Sequence, residues 1–273
     1  MTFSAAGIFL LIITASAFSP APTISREARN FIWPQRARIS AEEAGDGRVP
    51  PKLQRREAAV VAAILASVLT PANSVVAAED RTDRTFLVTG ANGGIGGAVA
   101  SGLAASGCRV VVGCRSPEKS SKVAEALLAT FPGAKVICPT TPLELSDMRT
   151  VATFAQEVGA SVPALEGVLL CAGIDGAPLT RGAQGLELHL AVNHASNFLL
   201  VMELLDKLRK TNIRGERGKV VVLTSSAALD ADPRGLADLN WATRAYDKRE
   251  AYCLSKACNV LFTDELARRE KSA

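Results

Sequence analysis

Tyr252 and Lys256 stand four residues apart near the end of this 273-residue chain. On a helix that spacing puts the phenol and the ammonium on one face. A phenol near its ordinary pKa of about 10 is a poor proton donor and acceptor near neutrality, and a close ammonium lowers it. The pair could therefore move a proton to or from a substrate oxygen. Tyr-x-x-x-Lys alone is common as a surface pair. Here it lies downstream of two hydroxyls, Ser225 and Ser226, that close an apolar run and offer a donor for the same oxygen.

A second chemistry sits at the other end of the same region. Thr89–Gly96 reads TGANGGIG directly after an apolar run. Gly90, Gly94 and Gly96, with Asn92 and Ile95 among them, allow a tight turn and a close backbone approach to a pyrophosphate. The following helix N-terminus stabilises its charge. The next apolar run ends at Gly113-Cys114-Arg115-Ser116. A carboxylate at this point would accept from a ribose 2′-OH, whereas Arg115 offers a cationic fork to a 2′-phosphate, so NADP(H) is expected over NAD(H). Glu144 follows the third run and is placed to accept from an adenine amino group.

Those residues need a frame, and the pattern supplies one. TFLVT (85–89), RVVVG (109–113), AKVIC (134–138), GVLLC (167–171) and KVVVLT (219–224) are near-continuous apolar runs, as expected of strands covered on both faces. Helical spacing fills 95–106, 117–130, 146–158 and 185–209 between them. Pro117 and Ser146 read as helix starts, and Gly107, Gly133 and Gly159 as stops. The alternation predicts an α/β fold, a doubly wound parallel Rossmann sheet with helices on both faces.

With these motifs in order, residues from Arg84 onward resemble the short-chain dehydrogenase/reductase family. TGANGGIG is similar to its cofactor loop, and Cys171-Ala172-Gly173 to its Asn-Asn-Ala-Gly segment. Asn193 matches its helix asparagine, Ser226 its serine, and Tyr252 with Lys256 its Tyr/Lys pair. GCRSPEK, AVNHASNFLL, DLNW and AYCLSKACNVLFTDELARR resemble the retinol-dehydrogenase-like and WW-domain-oxidoreductase-like branch, with protochlorophyllide reductase a close relative. The resemblance implies hydride transfer between nicotinamide C4 and a carbonyl or carbinol carbon. It gives Tyr252 the proton, and gives Lys256 the nicotinamide ribose and the Tyr pKa. Ser226 takes the substrate oxygen, Asn193 a relay water, and Ala172 and Gly173 the cofactor wall. Two departures are visible: Leu170-Cys171 replaces Asn-Asn, and Glu144 replaces Asp. The family's pattern also continues for two more strands, so the expected fold lacks the last strands and leaves one sheet edge open.

Composition narrows the rest. Aromatic residues make up 5% of the chain, too few for a stacking platform, and two histidines five apart do not suggest zinc. Residues 1–78 carry eight Lys and Arg against five Asp and Glu, so most of the net +4 lies there and gives no nucleic-acid surface. That segment reads as a multipartite leader, and 79–273 as the NADP-binding domain. Residues 5–18 have the length of a signal-peptide core, and ASAFSP (15–20) resembles the junction used for secondary plastids of algae. An arginine-rich stretch follows, then Arg55-Arg56 with a short apolar run resembling a thylakoid transfer signal. The expected address is a plastid, with the thylakoid lumen as a secondary site, proximity to the thylakoid membrane, and room for an oligomer. Six scattered cysteines without a C-x-x-C pair read as buried thiols.

The expected activity is NADP(H)-dependent oxidoreduction of an apolar carbonyl or alcohol of retinoid, carotenoid or lipid type. A protochlorophyllide-reductase-like enzyme and a non-catalytic dinucleotide-binding or scaffold protein are the alternatives.

Overall fold

The fold is taken from a computed structural model, which describes residues 12–15, 55–69, 84–211 and 218–271. Five parallel strands form its centre: β2 (Thr85–Thr89), β3 (Arg109–Gly113), β4 (Lys135–Ile137), β5 (Gly167–Leu170) and β6 (Lys219–Leu223). With β1 (Ile12–Ala15), the order is β1-β6-β5-β2-β3-β4. The chain reverses direction of winding between β2 and β5, which is where such sheets open a crevice at their carboxyl ends.

The open edge expected beside β6 is paired in the structure. Ile12–Ala15 runs antiparallel to it in the register Ile12 to Leu223 and Ala15 to Val220. An edge strand carries a row of unsatisfied N–H and C=O groups, and any extended apolar segment that reaches it can satisfy them.

Side chains alternate across the strands into two cores. Leu87, Val111, Val168, Leu170, Val220 and Val222 face α4 (Met148–Ser161) and α5 (Ser196–Arg209). Phe86, Val88, Val110, Val112, Leu169 and Val221 face α1 (Arg55–Leu69) and α2 (Gly94–Ala105), with Leu127 of α3 (Pro117–Thr130) at the side. Burial on both faces is why the strands read as continuous apolar runs rather than alternating ones.

Helix α1 belongs to this second core, although its sequence reads as part of the leader. Ile64 and Val68 are fully buried and Val61 and Leu65 nearly so. Its last turn is held by two cations. Arg84 Nη2 donates to the Val68 carbonyl at 2.6 Å, and Lys219 Nζ donates to that of Ser67 at 3.2 Å. These are carbonyls a helix terminus otherwise leaves unsatisfied. Among the described residues no helix is long and apolar enough to cross a membrane.

Helix boundaries follow local chemistry. Ser116 caps α3 with Pro117 in the first turn, and Gly107 and Gly133 take positive φ at the ends of α2 and of the α3–β4 turn. Two expectations fail by small margins. Asp147, not Ser146, caps α4, because its carboxylate accepts from Arg149 N at 3.0 Å. Gly159 lies inside α4 and not at its end. Its missing side chain faces Lys207 and Leu204 of α5, so the small residue serves the helix–helix contact.

Candidate active site

The glycine loop is built as the sequence requires. Gly90 (φ 67°) and Gly94 (φ 53°) occupy the left-handed region. A Cβ on Gly96 would collide with the Gly90 carbonyl, so α2 can begin only on glycine there. Gly93, the residue capping α2, has no side chain to bond the first amides, and a Cβ at Gly93 or Gly94 would meet nothing within 4 Å. The first turn of α2 therefore presents free N–H donors to an open cradle, which fits a pyrophosphate. Asn92 is exposed on the loop, and Ile95 turns inward against the core.

Two neighbours complete the cofactor side. Gly90 N donates to the Gly113 carbonyl at 2.9 Å, tying the loop to the end of β3, where Arg115 projects into solvent. Leu143 N donates to the Cys114 carbonyl at 2.9 Å, which brings Glu144 beside Arg115. On the other side Ala172 N donates to Thr89 Oγ1 at 3.0 Å, so the exit of β5 closes on the same loop. The residues present fit a nicotinamide dinucleotide: a glycine cradle and a helix N-terminus, with Arg115 at the end of β3.

The chemistry lies at the carboxyl ends of β5 and β6. α6 (Lys248–Lys271) carries Tyr252 and Lys256. Thr224 Oγ1 donates to the Lys256 carbonyl at 2.8 Å and Lys256 Nζ to the Leu223 carbonyl at 3.1 Å, which anchors that helix to the end of β6. Lys256 is 5% exposed, and burial pushes its ammonium down to about 8, with Asp175 opposing. A Cβ on Gly173 would lie 3.3 Å from Lys256 Nζ and 3.1 Å from Asn193 Oδ1, so Gly173, Lys256 and Asn193 meet in one place.

Asn193 sits in a π-helical turn, Leu190–Ala195, that leads into α5. Such bulges recur at functional sites because they turn one residue out of helical register. Its amide clamps Ile174 from both sides, accepting from its N–H at 2.8 Å and donating to its carbonyl at 2.9 Å, and it also donates to Ser255 Oγ at 3.0 Å. The sequence reading gave Asn193 a relay water. The amide's hydrogen bonds make it the brace of the Gly173–Ile174 wall.

Burial raises the Tyr252 phenol above its ordinary value, and a hydrogen bond with Ser225 opposes that rise. The hydroxyl of Ser225 is a hydrogen-bond partner of the phenol, and Lys256 Nζ stands 5.7 Å from the Tyr252 ring centroid. Ser226, the serine favoured by sequence, is half-buried at the start of the 3₁₀ turn Ser226–Asp230. Ser225 Oγ also accepts from Ala227 N at 3.2 Å.

A buried polar cluster escaped the sequence reading altogether. Glu187 and His189 are almost wholly buried, with His189 Nδ1 2.8 Å from Glu187 Oε1. Tyr246 donates its hydroxyl to Glu187 Oε1 at 2.9 Å and to the Ala177 carbonyl at 3.1 Å, and Ala177 N donates to His189 Nε2 at 3.2 Å. An accepting Nε2 leaves the Nδ1 proton for Glu187. The His189 ring meets that of Tyr252 edge-on at 6.2 Å. The cluster thus ties the Ile174–His189 loop to the start of α6. Only its residue types were visible in sequence, because partners 57–69 positions apart leave no local pattern.

Cys171, which stands where the family has asparagine, is half-buried, and desolvation pushes its thiol up to about 12. All six cysteines are free, and no cluster of metal-ligating side chains occurs among the described residues.

The comparisons agree with this geometry. A family model described as short chain dehydrogenase matches residues 84–237. A WW domain-containing oxidoreductase of Drosophila melanogaster is 33% identical over 201 residues, covering 72% of this chain and 48% of the relative. Retinol dehydrogenase 11 of Homo sapiens is 36% identical over 190 residues, covering 70% and 57%. The chain spans about half the length of the curated relatives it matches. A solved structure of an uncharacterized protein from Mycobacterium Paratuberculosis has 32% identity and a TM-score of 0.58, covering 73% of this chain and 68% of that one. A short chain dehydrogenase from Escherichia coli CFT073, complexed with NADPH, has 26% identity and a TM-score of 0.55, covering 72% and 75%. The motif order, the sheet and these matches together place the chain in the short-chain dehydrogenase/reductase family, in its retinol-dehydrogenase-like branch.

Proposed function

We propose that the protein transfers a hydride between NADP(H) and the carbonyl or carbinol carbon of an apolar substrate. The observation that carries this is the convergence of Tyr252, Lys256, Asn193 and Gly173 at the strand ends that also hold the glycine cradle. Bound NADPH supplies the hydride. Tyr252 donates the proton to the carbonyl oxygen, so aldehyde, NADPH and one proton give alcohol and NADP⁺. A serine hydroxyl from the Ser225–Ser226 pair holds the same oxygen. Lys256, next to Gly173, binds the nicotinamide ribose. Arg115 faces the 2′-phosphate, and the Ala172–Gly173 wall backs the nicotinamide.

The apolar substrate class is supported by the loops that leave β5 and β6. They carry the exposed leucines Leu179 and Leu229. Retinoid, carotenoid and lipid aldehydes are the substrates such exposed apolar side chains favour. The plastid address rests on ASAFSP and the arginine-rich segment after it. Because α1 is packed into the core, in this proposal residues before Arg55 carry the address and Arg55–Leu69 works within the domain. The test is direct: titrate NADPH by its fluorescence, then follow its consumption with retinal and other long-chain aldehydes. Aldehyde-dependent consumption is expected. Absence of NADPH binding overturns the reading, and binding without turnover in darkness or light favours the non-catalytic alternative.

A further inference from the structure

We propose that Glu144 opposes a 2′-phosphate at Arg115 and thereby sets how strongly this chain discriminates NADPH from NADH. The inference rests on the proposed role of Arg115.

The carboxylate is a fixed feature of the ribose end. Glu144 Oε1 accepts from Ser146 N at 2.9 Å and from Ser146 Oγ at 2.8 Å. Its own carbonyl accepts from Asp147 N at 3.0 Å and from Thr150 Oγ1 at 2.9 Å. The side chain is thus locked at the entry of α4. The second oxygen, Oε2, points at Arg115, 3.8 Å from Nε. Arg115 is 68% exposed and Glu144 35%, so the pair itself contributes little to stability. Its consequence is for a ligand. The guanidinium must hold a dianionic 2′-phosphate with a carboxylate already beside it.

The longer side chain makes this contact. An aspartate at 144 would be one methylene shorter and could not bond Ser146 in the same way while also reaching Arg115. Repulsion between the carboxylate and the phosphate acts through partly exposed, high-dielectric surroundings. It should change the affinity for NADPH severalfold, not by orders of magnitude. NADH carries no charge at that position but shares the adenine that Glu144 is placed to meet, so the charge effect is read in the ratio of NADPH to NADH affinity.

Glutamine at 144 keeps Oε1 as an acceptor for Ser146 and removes the charge. Binding of NADPH and of NADH would be measured by fluorescence titration for the wild type and for Glu144→Gln, Glu144→Asp, Arg115→Gln and the double variant Arg115→Gln/Glu144→Gln. A control, Glu118→Gln, removes an exposed acid from the first turn of α3. Expected is a roughly fivefold rise in the ratio of NADPH to NADH affinity for Glu144→Gln, because any change at the adenine is common to both cofactors. Glu144→Asp should gain less, Glu118→Gln should be near neutral, and the gain should vanish without Arg115. An unchanged or lower ratio of NADPH to NADH affinity in a folded Glu144→Gln variant overturns the inference while leaving Arg115 as the phosphate site. An equal gain in Glu118→Gln overturns it too, since a diffuse field would then suffice. If Arg115→Gln leaves NADPH affinity untouched, both this inference and the reading beneath it fall.

Discussion

Replacing Gly102 with alanine asks whether α1 is part of the working domain. Gly102 lies in the middle of α2, the helix whose N-terminus forms the phosphate cradle. In an isolated helix, Gly→Ala stabilises by about 1 kcal/mol. Here the added Cβ would run into Leu65 of α1, striking Cδ1 and lying 3.1 Å from Cδ2 and 3.3 Å from Cγ. Rotating the leucine about its outer torsion only exchanges one methyl for the other, so α1 must shift or the side chain must leave its well. Overpacking of this kind costs about 1–3 kcal/mol. The net effect of Gly102→Ala should be a loss of up to about 2 kcal/mol once the propensity gain is subtracted. Leu65→Ala alone removes buried methyls and costs about 2–5 kcal/mol. Added to that variant, Gly102→Ala should no longer destabilise and should gain close to its helix propensity. Urea denaturation of the four proteins in this cycle gives the coupling directly. Gly102→Ala stabilising by the same amount with and without Leu65 would show that α1 does not rest on α2, and would refute the packing argument.

Four further outcomes follow from the site. A buried lysine held near 8, when its ordinary value is 10.5, costs about 3 kcal/mol while charged. That penalty is full below pH 8 and fades as pH rises to about 10.5. Lys256→Met should therefore be more stable than wild type at pH 7, by about 1–3 kcal/mol after the lost bond to Leu223 is counted, and the advantage should disappear near pH 10.5. Thermal unfolding across that range measures it, and an advantage that grows with pH would contradict the burial argument. Ser225→Ala should raise the Tyr252 phenol pKa further and move the ascending limb of the pH profile for alcohol oxidation to higher pH, because it removes the bond that lowers it. Ser226→Ala should lower kcat about 10²-fold without moving that limb, if Ser226 holds the substrate oxygen. Tyr246→Phe leaves Glu187 one donor short inside a buried cluster and should cost about 1–3 kcal/mol in a denaturant titration.

The strands were legible because both faces are buried. TFLVT and RVVVG coincide with β2 and β3, and GVLLC and KVVVLT run only one residue past β5 and β6. Helix α3 was also plain, since Ser116 and Pro117 mark its start chemically. For helix α1 composition alone is silent: an apolar run of a dozen residues after two arginines has the composition of a transfer signal and equally of a helix packed on a sheet, and its contacts with Gly102, Arg84 and Lys219 are long-range. The cofactor loop, Asn193, Tyr252 and Lys256 could be read because each sits in a local motif. Which serine meets Tyr252 depends on how the chain turns after β6. The Glu187–His189–Tyr246 cluster depends on long-range closure. Neither leaves a periodicity to read.

The account's central claim is that Tyr252 donates the proton in an NADPH-dependent reduction. Its most direct test is Tyr252→Phe, which keeps the ring and its edge-on contact with His189 but removes the hydroxyl. NADPH affinity should stay within twofold of wild type, while kcat for an apolar aldehyde falls by about 10²–10⁴. Turnover retained in Tyr252→Phe, with binding intact, would contradict the account.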